Sequence, residues 1–443
     1  MLKNLWEKID EKKAKIAIIG AGYVGLPLAI AFIDEGFRVF IIDINKDKIS
    51  KILAGESYIE DVAPEQLKDA VEKGLLTPTT DYCVLKDADV AIITVPTPVT
   101  RYREPNLSYI KEAANGIAQH LHSPMLVSLE STTYPGTTEE LLLPLFQSKG
   151  LEVGKDFFLV FSPERINPGD KEHPLKKITK IVGGITSNCT EIGCHLYEQI
   201  IEQVVPVSNA RTAEMVKLFE NAYRYINIAF ANEMAIVCRK LGIDIWEVIE
   251  GAKTKPFGFQ VFYPGPGVGG HCIPVDPHYL RWRLREVGHN ELLLEIADTI
   301  NMGMPHYIVD LAADILNEAG KPLNDSKILI LGVTYKKDIS DIRESPALRL
   351  IEQLMEKKAI VYYHDPYKPE LAPTDFPSSK NSNISLKSIP LNEETLRQMD
   401  LVILATDHSC FNYQWIADNC QLILDTKNAF KNVNNSDAKI IKL

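Results

Sequence analysis

A short apolar run that ends in three spaced glycines constrains this chain more than any other feature. Residues 15–20 (KIAIIG) read as a buried strand, and Gly20-x-Gly22-x-x-Gly25 follows at once. Residues 26–36 (LPLAIAFIDEG) read as a helix closed by Gly36, and residues 38–43 (RVFIID) as the next strand. Strand, turn, helix and strand in this order make a βαβ unit, for which a right-handed crossover is expected. The glycines permit a tight turn and let a pyrophosphate approach the backbone, while the helix N-terminus supplies amide donors. Asp43, at the end of the second strand, is placed to bond both ribose hydroxyls. A carboxylate there repels a 2′-phosphate, which favours NAD over NADP. FAD uses the same fingerprint, and the motif alone leaves it open.

The chain has 443 residues, too many for one core, so two or three domains are expected. Further apolar runs at 88–96, 124–131, 157–162 and 178–184 read as strands of a parallel sheet covered on both faces. From Ser208 the texture changes. Residues 209–242 contain no proline and no internal glycine, and Met215, Leu218, Phe219, Ala222, Ile226, Ala229, Phe230, Met234 and Val237 recur at helical spacing. That predicts a helix roughly 50 Å long, its apolar stripe read most simply as core. A second helical run covers 291–316. From 326 strand-like runs return (SKILILGVTY, AIVYYHDP, 400–408, 422–427), with a helix from Pro346 to about Lys358. This is a second, smaller α/β domain. Residues 371–385 read as a surface loop.

The formal net charge of −11 argues against nucleic acid as a partner, since phosphate binding needs clustered Lys and Arg. No apolar run approaches the ~18 residues that a membrane helix needs. Seven scattered cysteines with no tight CxxC pair fit a reducing compartment, and the charged N-terminus lacks a signal-peptide core. Cytoplasmic residence is the expectation. The histidines show no metal-ligand spacing, and no metal is expected.

Residues 263–276 (YPGPGVGGHCIPVD) hold four glycines, three prolines and Cys272. Such a segment is neither helix interior nor ordinary strand. The glycines, among them Gly265, Gly267 and Gly269, let backbone approach a ligand, and a thiol held there is a candidate nucleophile. A buried, inert cysteine is the plainer alternative. Residues just past three strand ends point to one rim: Pro96 and Thr97, then Thr132, then Glu164 and Arg165. Ligands of open α/β sheets bind outside the carboxyl ends of strands. Lys217 and Asn221 are i and i+4 on the long helix, where a lysine could stabilise an oxyanion and an asparagine fix a hydroxyl or water. Lys336 and Arg343 lie on a Ser/Asp-rich loop that suits an anionic ligand.

The segments GAGYVGLPLA (20–29), VPTP (95–98), STTYPGT (131–137), SPERINPG (162–169), EMVKLFENAYRYINIAFANE (214–233), GPGVGGHCIPVDP (265–277) and TYKKDISDIRESP (334–346) resemble the nucleotide-sugar 6-dehydrogenases over essentially the whole chain. The resemblance implies two Rossmann-like doubly wound parallel sheets joined by a central long-helix domain. It divides the chain into an NAD-binding domain (1–207), a helical dimerisation domain with the cysteine loop (208–315) and a UDP-sugar-binding domain (316–443). It implies a four-electron oxidation of a UDP-hexose at C6 with NAD, on a homodimer formed through the 209–242 helix.

Within the resemblance, Cys272 is the nucleophile of a thiohemiacetal and then a thioester. Lys217 is the oxyanion lysine, and Asn221 its partner. Asp276 and Glu164 transfer protons and activate water, and Thr132 lies near the reacting centre. Cofactor contacts fall to Gly20, Gly22, Tyr23, Val24, Gly25, Asp43, Pro96, Thr97, Thr132 and Arg343. Substrate contacts fall to Glu164, Arg165, Lys217, Asn221 and Lys336, and to Tyr263, Gly265, Gly267 and Gly269 of the cysteine loop. Two positions depart from the UDP-glucose enzymes: Val275 replaces a lysine and Arg165 a non-basic residue. Both are similar to the branch acting on UDP-N-acetylhexosamines. UDP-N-acetylglucosamine is the favoured substrate, in surface-polysaccharide synthesis. UDP-glucose is the alternative, and a nucleotide-sensing module without chemistry is the rival from another class.

Overall fold

The computed structural model describes the chain apart from residues 60, 101, 167–171 and 377–383. Part of the 371–385 loop and residues 167–169 of the SPERINPG segment therefore lie outside the described residues. The chain divides into two compact units, Met1–Glu220 with His278–His289, and Asn221–Pro277 with Asn290–Leu443.

The first unit is built on eight strands: β1 (Lys15–Ile19), β2 (Arg38–Ile42), β3 (Leu76–Thr79), β4 (Val90–Ile93), β5 (Met125–Leu129), β6 (Phe157–Phe161), β7 (Lys180–Gly184) and β8 (Val204–Pro206). Their order in the sheet is β3-β2-β1-β4-β5-β6-β7-β8. The strand order reverses between β1 and β4, the switch point at which doubly wound sheets open a crevice for ligands. Successive residues of β1 point to opposite faces. Ile16 and Ile18 pack with Leu28 and Phe32 of the helix Gly25–Asp34, whereas Ala17 and Ile19 pack with Ala113 and Ile117 of the helix Ser108–His120. Covering both faces explains why the strand sequence is continuously apolar.

Two strands depart from the expected parallel sheet, β7 and the β8 that pairs parallel to it. β7 runs antiparallel to β6, with Val160 opposite Gly184 and Phe161 opposite Gly183. The described part of the 162–179 link holds a 3-10 turn at Leu175–Lys177 and no α-helix of the kind that usually carries a parallel crossover. β3 and β8 were not read from the sequence. Both are sheet edges, where one side lacks a partner, and β3 accommodates Pro78 there.

The second unit holds β9 (Lys327–Leu331), β10 (Ile360–His364), the short antiparallel pair β11 (Glu370–Leu371) and β12 (Leu386–Lys387), β13 (Leu401–Leu404), β14 (Leu422–Asp425) and β15 (Lys439–Lys442). Its main sheet is parallel throughout, in the order β10-β9-β13-β14-β15. Ile328 and Ile330 face Leu350 and Leu354 of the helix Pro346–Glu356, while Leu329 and Leu331 face Leu396 and Ile416.

The long helix runs Ala210–Lys240, about 46 Å at 1.5 Å per residue. Its buried face corrects the sequence reading. Ala213, Leu218, Ala222, Ala229 and Ala235 are buried, but Phe219, Phe230 and Val237 are 65%, 58% and 39% exposed. Alanines share the inner face with Leu218 and Tyr225, while Phe219, Tyr223, Phe230 and Val237 project outward. A second helix spans Leu292–Glu318 with Pro305 inside it. Among the described residues no helix is long and apolar enough to cross a membrane.

Candidate active site

In the first unit the loops after β1, β4, β5 and β6 share one rim. Gly20 has φ +109°, and a Cβ there would lie 2.8 Å from the Thr94 carbonyl oxygen. At Gly25 a Cβ would lie 1.9 Å from the Gly20 oxygen, so the helix can start against the strand only with glycine. Gly22 differs: a Cβ there meets nothing within 4 Å. Thr94 Oγ1 donates to the Gly20 carbonyl (3.0 Å) and Tyr58 OH to the Ala21 carbonyl (2.7 Å), which fixes the turn. Asp43 Oδ2 accepts from the Ala21 amide (2.9 Å) and pairs with Lys48 (3.3 Å). Tyr23 and Val24, half-buried, complete the turn. Tight packing on the protein side, open space at Gly22 and a helix N-terminus fit a pyrophosphate, and Asp43 at the strand end fits a ribose diol.

Pro96 is exposed and Thr97 half-buried after β4, and Thr132 is half-buried after β5. The Thr132 loop is held from behind. Ser131 Oγ donates to the Val95 carbonyl (2.8 Å), and the Glu214 carboxylate accepts from the Gly136 amide and from the Thr138 amide and hydroxyl. Glu214 is fully buried, and that burial pushes its carboxyl up to about 7 against these donors.

After β6, Glu164 is 9% exposed and its Oε1 accepts the amides of Arg165 and Ile166, both at 2.6 Å. Lys217 is 9% exposed and donates Nζ to the Glu164 carbonyl (2.5 Å). Arg165 makes a fork with Glu220 (2.7 and 3.2 Å) and donates Nη1 to the Thr179 carbonyl (2.7 Å).

In the second unit the cysteine loop is pinned at both ends. The Gly265 amide donates to Asn232 Oδ1 (2.9 Å), and Asn232 in turn donates to Asn301 Oδ1 (2.9 Å). Gly267 has φ +131°, and a Cβ at Gly269 would lie 2.6 Å from Tyr335 Cβ. The Gly270 amide donates to the Arg343 carbonyl (2.9 Å). The Cys272 carbonyl then accepts the amides of Val275 (3.0 Å) and Asp276 (2.8 Å), leading into the helix Asp276–Glu286. Asp276 is buried, and Asn221 Nδ2 donates to its Oδ2. Cys272 is half-buried, so it is neither a surface thiol nor a core one.

Arg343 forks onto Asp341 and lies 3.3 Å from His271 of the loop. Tyr263 is 43% exposed, stacks on Trp246 and donates its hydroxyl to Glu250 (2.7 Å). Lys336 is half-buried, and its carbonyl accepts the Thr334 hydroxyl (2.9 Å).

Several residues of these rims escaped the sequence reading. Lys427, two residues past β14, places Nζ 2.9 Å from where a Gly265 Cβ would be. Burial pushes its ammonium below the ordinary value, against Asp407 and Asp425. His408, fully buried, accepts the Asp338 amide at Nδ1 (2.9 Å) and donates Nε2–H to Asp365 Oδ2 (3.1 Å). Asp365 also takes the Val333 and Thr334 amides, so this pair clamps the loop that carries Lys336. Glu130, Lys180 and Tyr197 form a buried group behind Glu164. Among the described residues no group of three or more His, Cys, Asp or Glu side chains could hold a metal ion.

Residues 14–201 match the NAD binding domain of the UDP-glucose/GDP-mannose dehydrogenase family, residues 211–303 its central domain and residues 329–432 its UDP binding domain. The chain is 35% identical over 425 residues to a UDP-N-acetyl-D-mannosamine dehydrogenase of Pyrococcus horikoshii, covering 94% of this chain and 96% of the relative. It is 34% identical over 402 residues to a UDP-N-acetyl-D-glucosamine 6-dehydrogenase of Pseudomonas aeruginosa, covering 90% and 92%. The solved structure of a UDP-D-ManNAc dehydrogenase from Pyrococcus horikoshii superposes with a TM-score of 0.85 at 33% identity, covering 97% of this chain and 98% of that one.

Proposed function

The chain belongs to the UDP-glucose/GDP-mannose dehydrogenase family and is an NAD-dependent UDP-sugar dehydrogenase, and from that premise we propose that it oxidises C6 of a UDP-N-acetylhexosamine to the carboxylate. UDP-N-acetylglucosamine is the first choice of epimer, with UDP-N-acetylmannosamine next. The observation that carries the reading is the turn from Cys272 into Asp276, with the Asp276 carboxylate buried and oriented by Asn221. It offers a nucleophile and a proton acceptor in one rigid segment.

Gly20, Gly22, Gly25 and Asp43 would hold NAD, which when bound would supply the hydride acceptor for each of the two oxidations at C6. Cys272 sulfur bonds to the C6 aldehyde carbon, holding it as a thiohemiacetal and then as a thioester, so no free aldehyde is released. The Lys217 ammonium stabilises the oxyanion, and Asn221 and Asp276 hold and accept the hydroxyl proton. Glu164 takes a proton from the water that cleaves the thioester and regenerates the thiol.

Val275 supports the N-acetylhexosamine branch. It is 8% exposed, so the lysine of the UDP-glucose enzymes would bury an ammonium there. The exposed Phe219, Tyr223, Phe230 and Val237 support a homodimer through the long helix, since an apolar row of this kind marks an interface.

The test is NADH formed per sugar consumed, with UDP-N-acetylglucosamine, UDP-N-acetylmannosamine, UDP-N-acetylgalactosamine and UDP-glucose in parallel. Two NADH per N-acetylated sugar, with UDP-glucose slow, is expected. Cys272→Ser should bind both ligands and form no acid. Full acid-forming turnover by that variant would overturn the thioester mechanism.

A further inference from the structure

Lys180 is 4% exposed and stands between two carboxylates, 2.9 Å from Glu130 Oε2 and 3.3 Å from Glu164 Oε2. The direction of β7 puts it there. The antiparallel register that pairs Val160 with Gly184 continues to bring residue 180 opposite residue 164. A parallel strand would have delivered its first residue to the far edge of the sheet. Glu130 follows β5, the neighbour of β6 on its other side, and reaches the same rim.

The rest of the environment is closed. Glu130 Oε1 accepts the Tyr197 hydroxyl, which lies 2.7 Å from Ser128 Oγ. Lys180 Nζ sits 4.8 Å from the centre of the Tyr197 ring, and Tyr197 is fully buried. Burying a lysine between two carboxyl groups is expensive, and apolar side chains of similar volume would serve stability as well or better. The placement therefore calls for a reason other than packing.

We propose that Lys180, shared between Glu130 and Glu164, is a positioning residue that holds the Glu164 carboxylate oriented and ionised for proton transfer. The inference rests on the reading of Glu164 as the group that activates water. Only Oε2 of Glu164 faces Lys180. Oε1 is taken by two backbone amides, so the carboxylate has no rotational freedom. Burial pushes Glu164 up, but the Lys180 charge, the Ile166 amide, Lys217 and the Arg165 amide outweigh it and hold the group below the ordinary value. Burial pushes Glu130 up to about 7 against the attraction of Lys180. When Glu130 ionises it takes a share of the Lys180 charge, and Glu164 becomes the stronger base.

The experiment compares kcat across pH 5–9, both KM values and the melting temperature for Glu164→Gln, Lys180→Met, Lys180→Arg, Glu130→Gln and the Lys180→Met/Glu130→Gln double variant. Lys180→Met is expected to lower kcat at least tenfold, leave the KM for NAD within twofold, and move the acid limb of the profile to higher pH. Glu130→Gln moves that limb to lower pH, because Lys180 then serves Glu164 alone. Lys180→Arg restores the wild-type limb. The double variant removes one charge of each sign, melts close to wild type and keeps the limb displaced upward. A double variant with wild-type kcat and wild-type limb would overturn the inference, leaving the pair a structural one. An unaltered kcat in Glu164→Gln would instead overturn the reading beneath it.

Discussion

Asn221 donates its side-chain amide to the Asp276 carboxylate, and the two are only 5% and 2% exposed. An asparagine offers both a donor and an acceptor, so spending the donor on Asp276 orients the pair and presents the amide oxygen elsewhere. The arrangement fixes which carboxylate oxygen is engaged before any substrate arrives.

Asp276→Asn preserves the shape but cannot accept a proton. We expect kcat to fall about 10²–10⁴-fold, the range of a general base, with NAD affinity unchanged. Steady-state kinetics beside an NAD fluorescence titration checks this. An equal loss in both would make the pair a scaffold element.

Gly22→Ala and Gly25→Ala should separate binding from folding. At Gly22 a Cβ meets no protein atom, so the melting temperature should stay within about a degree while NAD binding weakens at least tenfold. At Gly25 a Cβ would overlap the Gly20 carbonyl, and both should fall. Thermal melts with and without NAD distinguish the two.

Glu214 predicts a pH dependence. Its folded pKa, about 7, lies above its ordinary 4.5 because it is buried. The folded state thus prefers the protonated form. The associated stability is full below the unfolded pKa and is lost as pH rises through about 7. Glu214→Gln keeps a carbonyl acceptor and does not titrate. The melting temperature of wild type relative to this variant should drop by roughly 3–8 °C between pH 5 and 8. A difference that is flat with pH would contradict this.

His408→Phe removes a donor to Asp365 and an acceptor of the Asp338 amide in a fully buried place. A loss on the order of 1–3 kcal/mol is expected for each abandoned partner. The clamp holds the Lys336 loop, so the KM for the UDP-sugar should rise severalfold while that for NAD stays constant.

Much of this architecture was legible because parallel sheets covered on both faces write themselves as apolar runs. β1, β4, β5, β6, β9 and β13 all fall inside segments read that way. β3, β8 and β15 escaped because edge strands carry polar or proline residues. The direction of β7 escaped for another reason: side-chain alternation is the same in a parallel and an antiparallel strand. Glu130 and Lys180 were lost with it, since a single charge near the end of an apolar run looks solvated until the topology brings the two together. Cys272, Lys217 and Asn221 were singled out by residue type and spacing, and the structure places Cys272 half-buried and Lys217 and Asn221 buried. Periodicity located the apolar face of the long helix but not its neighbours. Alanines with Leu218 and Tyr225, not Phe219 and Phe230, pack inward.

Among the described residues, the apolar clusters of the first unit and those of the second are each built from that unit's own side chains. The matched NAD binding domain falls in the first and the matched UDP binding domain in the second. Calorimetry should therefore resolve two endotherms that answer to different ligands. NAD should raise one and UDP the other, each by an amount set by its own saturation, about 2.7 kcal/mol at a hundredfold excess over Kd. Heat capacity thereby becomes a way to assign a ligand to a unit in a variant that no longer turns over.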